Sequence, residues 1–412
     1  MRALLLALLA TPALAETALA ETDASALVAA EGLRGAEAVL AALPSPTPSE
    51  RFALGGVRFL GGVERALQLR YRVGLSDGLA VLSGLPVLRL PLPENPAPDP
   101  FEPAVIADLF EAVAVDMAEA AGTLQTIEDG DAVAVTIDMA DLWFDVDGSG
   151  ARGPGEGVTE VAGTLLDPSP FLDDPFADPF AAPATPAPVI RFDTADAAWL
   201  KAYAHLLGAA SQGVLALEPT DAIGRVVEAR AAFDAHPPVP DPYGYGMEDQ
   251  FGDGVDLAAM VLEALDGPPD PARTRAVRDE LLHVVAENRR FWRLVARERD
   301  DEAEWIPNKA QVSATGLPFP PDTGPMWLAV LDDAEAVLRG ETLIPFWRVG
   351  PGAGLDLGAM LESPPDLGLA GLVQGHALVP YLREGPLADA ASLRLFSELV
   401  GGQAPLYAVV LN

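Results

Sequence analysis

Cysteine is absent from the 412 residues, lysine occurs only at 201 and 309, and histidine only at 205, 236, 283 and 376. Without cysteine no disulfide can staple the fold, and no lipid can be attached behind the N-terminal apolar run. Positive charge is scarce: 26 Lys and Arg stand against 61 Asp and Glu, for a net charge of −35. Such a surface repels phosphate backbones and anionic lipid, so nucleic-acid binding and membrane-surface binding are excluded as expectations, and cations are favoured. Past the first fifteen residues no stretch is long and apolar enough to cross a bilayer, which takes roughly 20 residues. Walker, HExxH and GxSxG patterns are missing, so no familiar nucleotide, zinc-peptidase or serine-hydrolase site is expected.

The chain opens MRALLLALLATPALAE. Arg2 gives a positive start, Leu4 to Ala10 an apolar run, and Ala13-Leu14-Ala15 a small-x-small cleavage pattern. That order predicts a secretory signal peptide over 1–15 and a mature protein in the periplasm or the medium. Solubility or salt adaptation explains most of the acidity. Half the residues are hydrophobic, enough for a substantial core, and the length suits one large or two medium domains.

Apolar residues at helical spacing mark 24–43, stopped by Pro44, Pro46 and Pro48. They also mark 51–75, where the pairs Gly55-Gly56 and Gly61-Gly62 weaken the pattern, and 104–126, where Ile106, Phe110, Val113 and Met117 share a face. AVAVTI reads as a short strand. Residues 167–188 are rich in Pro, Asp and Phe and read as a linker. They separate an N-terminal helical region, 16–166, from a C-terminal helical domain, 189–412. In the latter, helices are expected over 194–216, 271–300, 325–339, 355–362, 367–378 and 387–399, with TLIPFWRV and LYAVVL as strands. The predicted class is a mainly α, multi-helix globular protein with a few short strands.

One spacing carries chemistry. Residues 145–156 read Asp-Val-Asp-Gly-Ser-Gly-Ala-Arg-Gly-Pro-Gly-Glu. Asp145, Asp147 and Ser149 alternate, so a tight turn aims their oxygens at one point. Gly150 permits the bend, Ala151 offers a carbonyl, Gly153 acts through water, and Glu156 closes the set with two oxygens. The segment resembles the calcium loop of EF-hands, and the resemblance implies one Ca2+ of structural kind. It departs from that pattern at Arg152, where an apolar residue is usual, at Pro154 and Gly155, which weaken an exit helix, and in lacking a second loop to pair with.

Other signals have plainer explanations. Gly350-Pro-Gly-Ala-Gly354 lacks the third glycine of a dinucleotide loop. His205 and His376 lie among apolar neighbours and read as packed histidines. Asp193 and Asp196 read as a helix cap and a first-turn acid, though a paired-carboxylate site is conceivable. The polar run 296–311, ARERDDEAEWIPNKAQ, reads as a solvated helix end, with a cleft for sugar or peptide as the sharper alternative.

RFDTADAAWLKAYAHLL, EWIPNKAQ and TLIPFWR, together with the loop, are similar to a family of exported bacterial proteins without an assigned activity, and the similarity covers about half of the mature chain. It carries no catalytic residue across. The expectation is an exported calcium-binding protein acting as a binding or structural component of the cell envelope. The alternative is a calcium-stabilised hydrolase of envelope polysaccharide or peptide. A cleft with tryptophan and paired carboxylates of raised pKa would favour the hydrolase.

Overall fold

The computed structural model describes residues 22–75, 88, 90–161, 187–236 and 247–412. Residues 1–15, expected as a signal peptide, and most of 167–188, expected as a linker, lie outside these. The described chain is mainly α, with two short antiparallel strand pairs.

Helix α1 (Ala24–Ala41) starts on Asp23, whose side chain accepts from Ala26 N. Gly32 breaks its winding at φ 68°, ψ 178°. The kink resets the buried face: Val28 is buried before it and Leu33, Ala36 and Leu40 after it, leaving Val39 exposed where a straight helix would have joined it to Val28. Helix α2 (Pro48–Arg72) opens with a capping box between Thr47 and Glu50 and a proline in its first turn. It runs unbroken through both glycine pairs, because two of those glycines are contact points with α3 (Val105–Leu124). A Cβ on Gly55 would lie 2.6 Å from Leu124, and one on Gly62 2.7 Å from Met117. Close packing of α2 on α3 offsets the helix-propensity cost of glycine.

Strand β1 (Ala134–Asp138) pairs antiparallel with β2 (Val189–Asp193), Ala134 opposite Asp193 and Asp138 opposite Val189. Between them lie the loop and the single turn α4 (Val158–Val161). Strand β2 runs straight into α5 (Thr194–Ala216), capped by Asp193. Helices α6 (Thr220–Asp234) and α7 (Met247–Ala264) follow, then α8 (Pro271–Val295), which starts on Asp270 and packs along α5. After α9 (Thr323–Leu338) the chain makes β3 (Ala353–Leu355), α10 (Leu357–Glu362), α11 (Leu369–Gln374), a 3₁₀ turn (His376–Tyr381) and β4 (Leu382–Glu384). Helices α12 (Ala391–Leu399) and α13 (Ala404–Leu411) end it.

One buried cluster joins α1 and α2, the loop flanks, the start of α5, the end of α8 and the C-terminal helices. Two expected strands are not strands. TLIPFWRV touches Leu387 and Leu355 through isolated bridges at Leu343 and Ile344, and Pro345 then supplies no N–H to extend the ladder. LYAVVL is helix α13. Its Tyr407, Val410 and Leu411 bury at helical spacing, and Trp199 Nε1 donates to Val410 O at 2.8 Å. Among the described residues no helix is long and apolar enough to cross a membrane.

Candidate metal centre

Both arms of the 145–156 loop are rooted in the core. Leu142, Trp143, Phe144 and Val146 bury on one side and Val158 and Val161 on the other. Phe144 N donates to Glu156 O at 2.8 Å and Val158 N to Leu142 O at 2.9 Å, closing the base. The tip, from Asp147 to Arg152, is exposed. Gly150 has φ 75°, a left-handed turn that glycine makes without steric cost, at the position where the spacing puts the bend.

The turn draws its acids inward. Both carboxylate oxygens of Asp145 accept from Gly150 N at 3.1 Å, and Asp147 Oδ1 accepts from Ser149 N at 2.9 Å. Glu156, only 3% exposed, accepts from Val146 N at 2.8 Å and Asp147 N at 3.3 Å through Oε1, and from Gly153 N through Oε2. One carboxylate oxygen from each of Asp145, Asp147 and Glu156 comes within 4.8 Å of the others. Ser149 Oγ donates to Ala151 O at 3.0 Å, which sets those two oxygens side by side. Arg152 turns away and donates to Ala140 O at 2.7 Å.

Helix α2 holds the loop from beneath. Gln68 Nε2 donates to Asp145 O at 2.7 Å and Glu64 accepts from Asp145 N at 2.8 Å. Burial first, then the neighbouring charges of Asp145 and Glu156, pushes the Glu64 carboxyl above its ordinary value, against the Asp145 hydrogen bond. Neither anchor is visible in the loop's own spacing.

A second set of acids gathers where β2 enters α5. Asp193 accepts from Ala195 N at 2.7 Å, and Asp196 Oδ2 accepts from Asp193 N at 2.8 Å, the expected cap. The cap is not alone. Glu298 lies against Asp193, and its carboxyl is pushed up to about 8 by burial and then by the Asp193 charge. Asp196 is raised well above its ordinary value by full burial and the same charge, and Glu304 is raised mainly by burial. The 296–311 run is therefore two-faced. Arg297, Arg299, Asp300, Asp301 and Glu302 are exposed, while Glu304, Trp305 and Ile306 are buried. Asn308 Nδ2 donates to Val295 O at 3.0 Å and so caps α8, and Gln311 Nε2 donates to Asp300 O at 2.9 Å.

An apolar cavity of about 250 Å³ lies between these two groups of acids, walled by Phe52, Phe59, Phe144, Phe192, Trp199 and Trp305 among others. Leu142, Phe144, Val158 and Val161, the roots of the loop, form part of its wall. Trp305 Nε1 is buried without an acceptor.

Of the histidines, His236 and His376 are exposed. His205 is half-buried and meets Glu280 and His283 of α8. The available signal was the i, i+3 spacing of Glu280 and His283, which places them on one face. No family model, curated protein or solved structure matches this chain.

Proposed function

We propose that this is an exported protein that holds one structural Ca2+ in the 145–156 loop and serves as a non-enzymatic binding protein of the cell envelope. The carrying observation is the convergence of Asp145, Asp147 and Glu156 oxygens within 4.8 Å on a glycine-bent turn. The donor set fits the ion. Three carboxylates, the Ser149 hydroxyl and the Ala151 carbonyl are hard oxygen donors, with no nitrogen or sulfur among them, as calcium requires. Glu156 would supply the two-oxygen ligand, already oriented by three backbone amides. Calcium would offset the mutual repulsion of these acids and of Glu64 beneath them.

The binding reading rests on the cavity. It exceeds the roughly 150 Å³ at which an engineered apolar cavity stays dry and takes benzene. Its wall suits an apolar molecule. Since the loop's roots form part of that wall, calcium would stiffen the site it serves. The test is the melting temperature in EDTA and in millimolar calcium. A rise that Asp145→Ala abolishes supports the reading; no rise in the unaltered protein refutes it.

The hydrolase alternative has its own observation, Glu298 paired with Asp193 and protonated near neutral pH, the state a general acid needs. Release of product from peptidoglycan fragments or peptides, lost in Glu298→Gln, would favour it over the binding reading.

A further inference from the structure

We infer that His205, Glu280 and His283 form a second metal site, for a divalent transition-metal ion of the zinc class, on the seam between α5 and α8. The inference is independent of the calcium loop, because the two sites share no residue and this one adds imidazole nitrogens that the loop lacks.

The seam is antiparallel, and its rungs can be followed residue by residue. Lys201 Nζ pairs with Glu287 at 2.9 Å, both side chains largely buried. One helical turn on, His205 stacks on His283 with ring centroids 4.7 Å apart and planes 18° from parallel. One turn further, Gly208 faces Glu280. The nearest atom to a Cβ built on Gly208 is the Glu280 carboxyl carbon at 3.5 Å, so the missing side chain leaves that carboxylate uncovered. The buried Lys201–Glu287 pair fixes the register that brings the other residues together, as a preorganised site requires.

A ring nitrogen of each histidine and a carboxylate oxygen of Glu280 all lie within 4.8 Å of one another. His205 Nδ1 stands 2.5 Å from Glu280 Oε2, and an ion held by both would replace that direct contact. Two imidazoles and one carboxylate are a donor set for zinc and its neighbours, and a poor one for calcium. Three protein ligands leave a fourth, tetrahedral position for water. His283 is exposed, so an ion can enter from solvent. The acidity of the molecule raises the local cation concentration.

The test uses the full mature chain, stripped with EDTA, with millimolar calcium added back to fill the loop. Zinc is titrated in competition with a chromophoric chelator, and Co2+ serves as a spectroscopic probe. One zinc per chain is expected, and a Co2+ visible band of tetrahedral type. Because His283 is exposed, His283→Gln should leave the melting temperature of the metal-free protein unchanged. It should weaken zinc binding at least about tenfold and remove the Co2+ band, as should Glu280→Gln, whereas Asp145→Ala should bind zinc as before. Absence of stoichiometric zinc binding, or zinc affinity equal to that of the unaltered chain in His283→Gln or Glu280→Gln, would overturn the assignment.

Discussion

The acids of the 145–156 loop and the acids where β2 enters α5 are the same functional group in opposite surroundings. In the loop, backbone amides turn Asp145, Asp147 and Glu156 toward one point near solvent. Beside α5, Asp196, Glu298 and Glu304 are raised chiefly by burial and held against the charge of Asp193. The first arrangement gathers three carboxylates at one point. The second suppresses charge by keeping protons. What separates them is the supply of N–H donors and water, not the number of acids.

The sharpest way to break this contrast is at Glu156. Glu156→Ala leaves three backbone amides without their acceptor, and we expect a loss of about 3 kcal/mol even in EDTA, read as a lower urea midpoint. An unchanged midpoint would mean that the amides do not organise the loop. Next is the bend. Gly150→Ala meets no neighbouring atom, so its cost is that of a left-handed alanine, about 1–2 kcal/mol, with calcium affinity reduced in step.

The buried acids give a pH effect of the opposite sense to ordinary surface carboxylates. A glutamate raised in the folded state lends stability below its ordinary value, and that stability is lost as pH rises through the folded value. For Glu298 the window runs from 4.5 to about 8. In EDTA the urea midpoint should fall across that window, and Glu298→Gln should match the wild type at its lower end and exceed it at pH 8. A fall of equal size in the variant would place the titration elsewhere. The smallest effect is expected from Asp196→Asn. It keeps an acceptor for Asp193 N and mimics the protonated acid, so thermal unfolding near pH 5 should shift by less than about 0.5 kcal/mol.

The turn at 145–156 was legible because its converging acids come from twelve consecutive residues and its bend needs glycine at one position. The helices over 104–126 and 194–216 were legible from apolar spacing, and α3 and α5 occupy them to within two residues. LYAVVL was not, since a six-residue apolar run has no period long enough to separate helix from strand, and packing of Tyr407 and Leu411 decided it. Gly55 and Gly62 look like helix breakers until Leu124 and Met117 are seen against them. The Asp193–Glu298 pair and the His205–Glu280–His283 seam join residues 75 or more positions apart. Only the helix register brings such groups together, and nothing local in the sequence records it.

The most direct measurement on the central claim is calorimetric titration of calcium into the stripped mature chain, with Asp145→Ala beside it. We expect one Ca2+ per chain, unaffected by equimolar Mg2+, and no binding heat in the variant. A blank titration of the unaltered chain, or equal heat from Asp145→Ala, would contradict it and leave the loop an acidic turn.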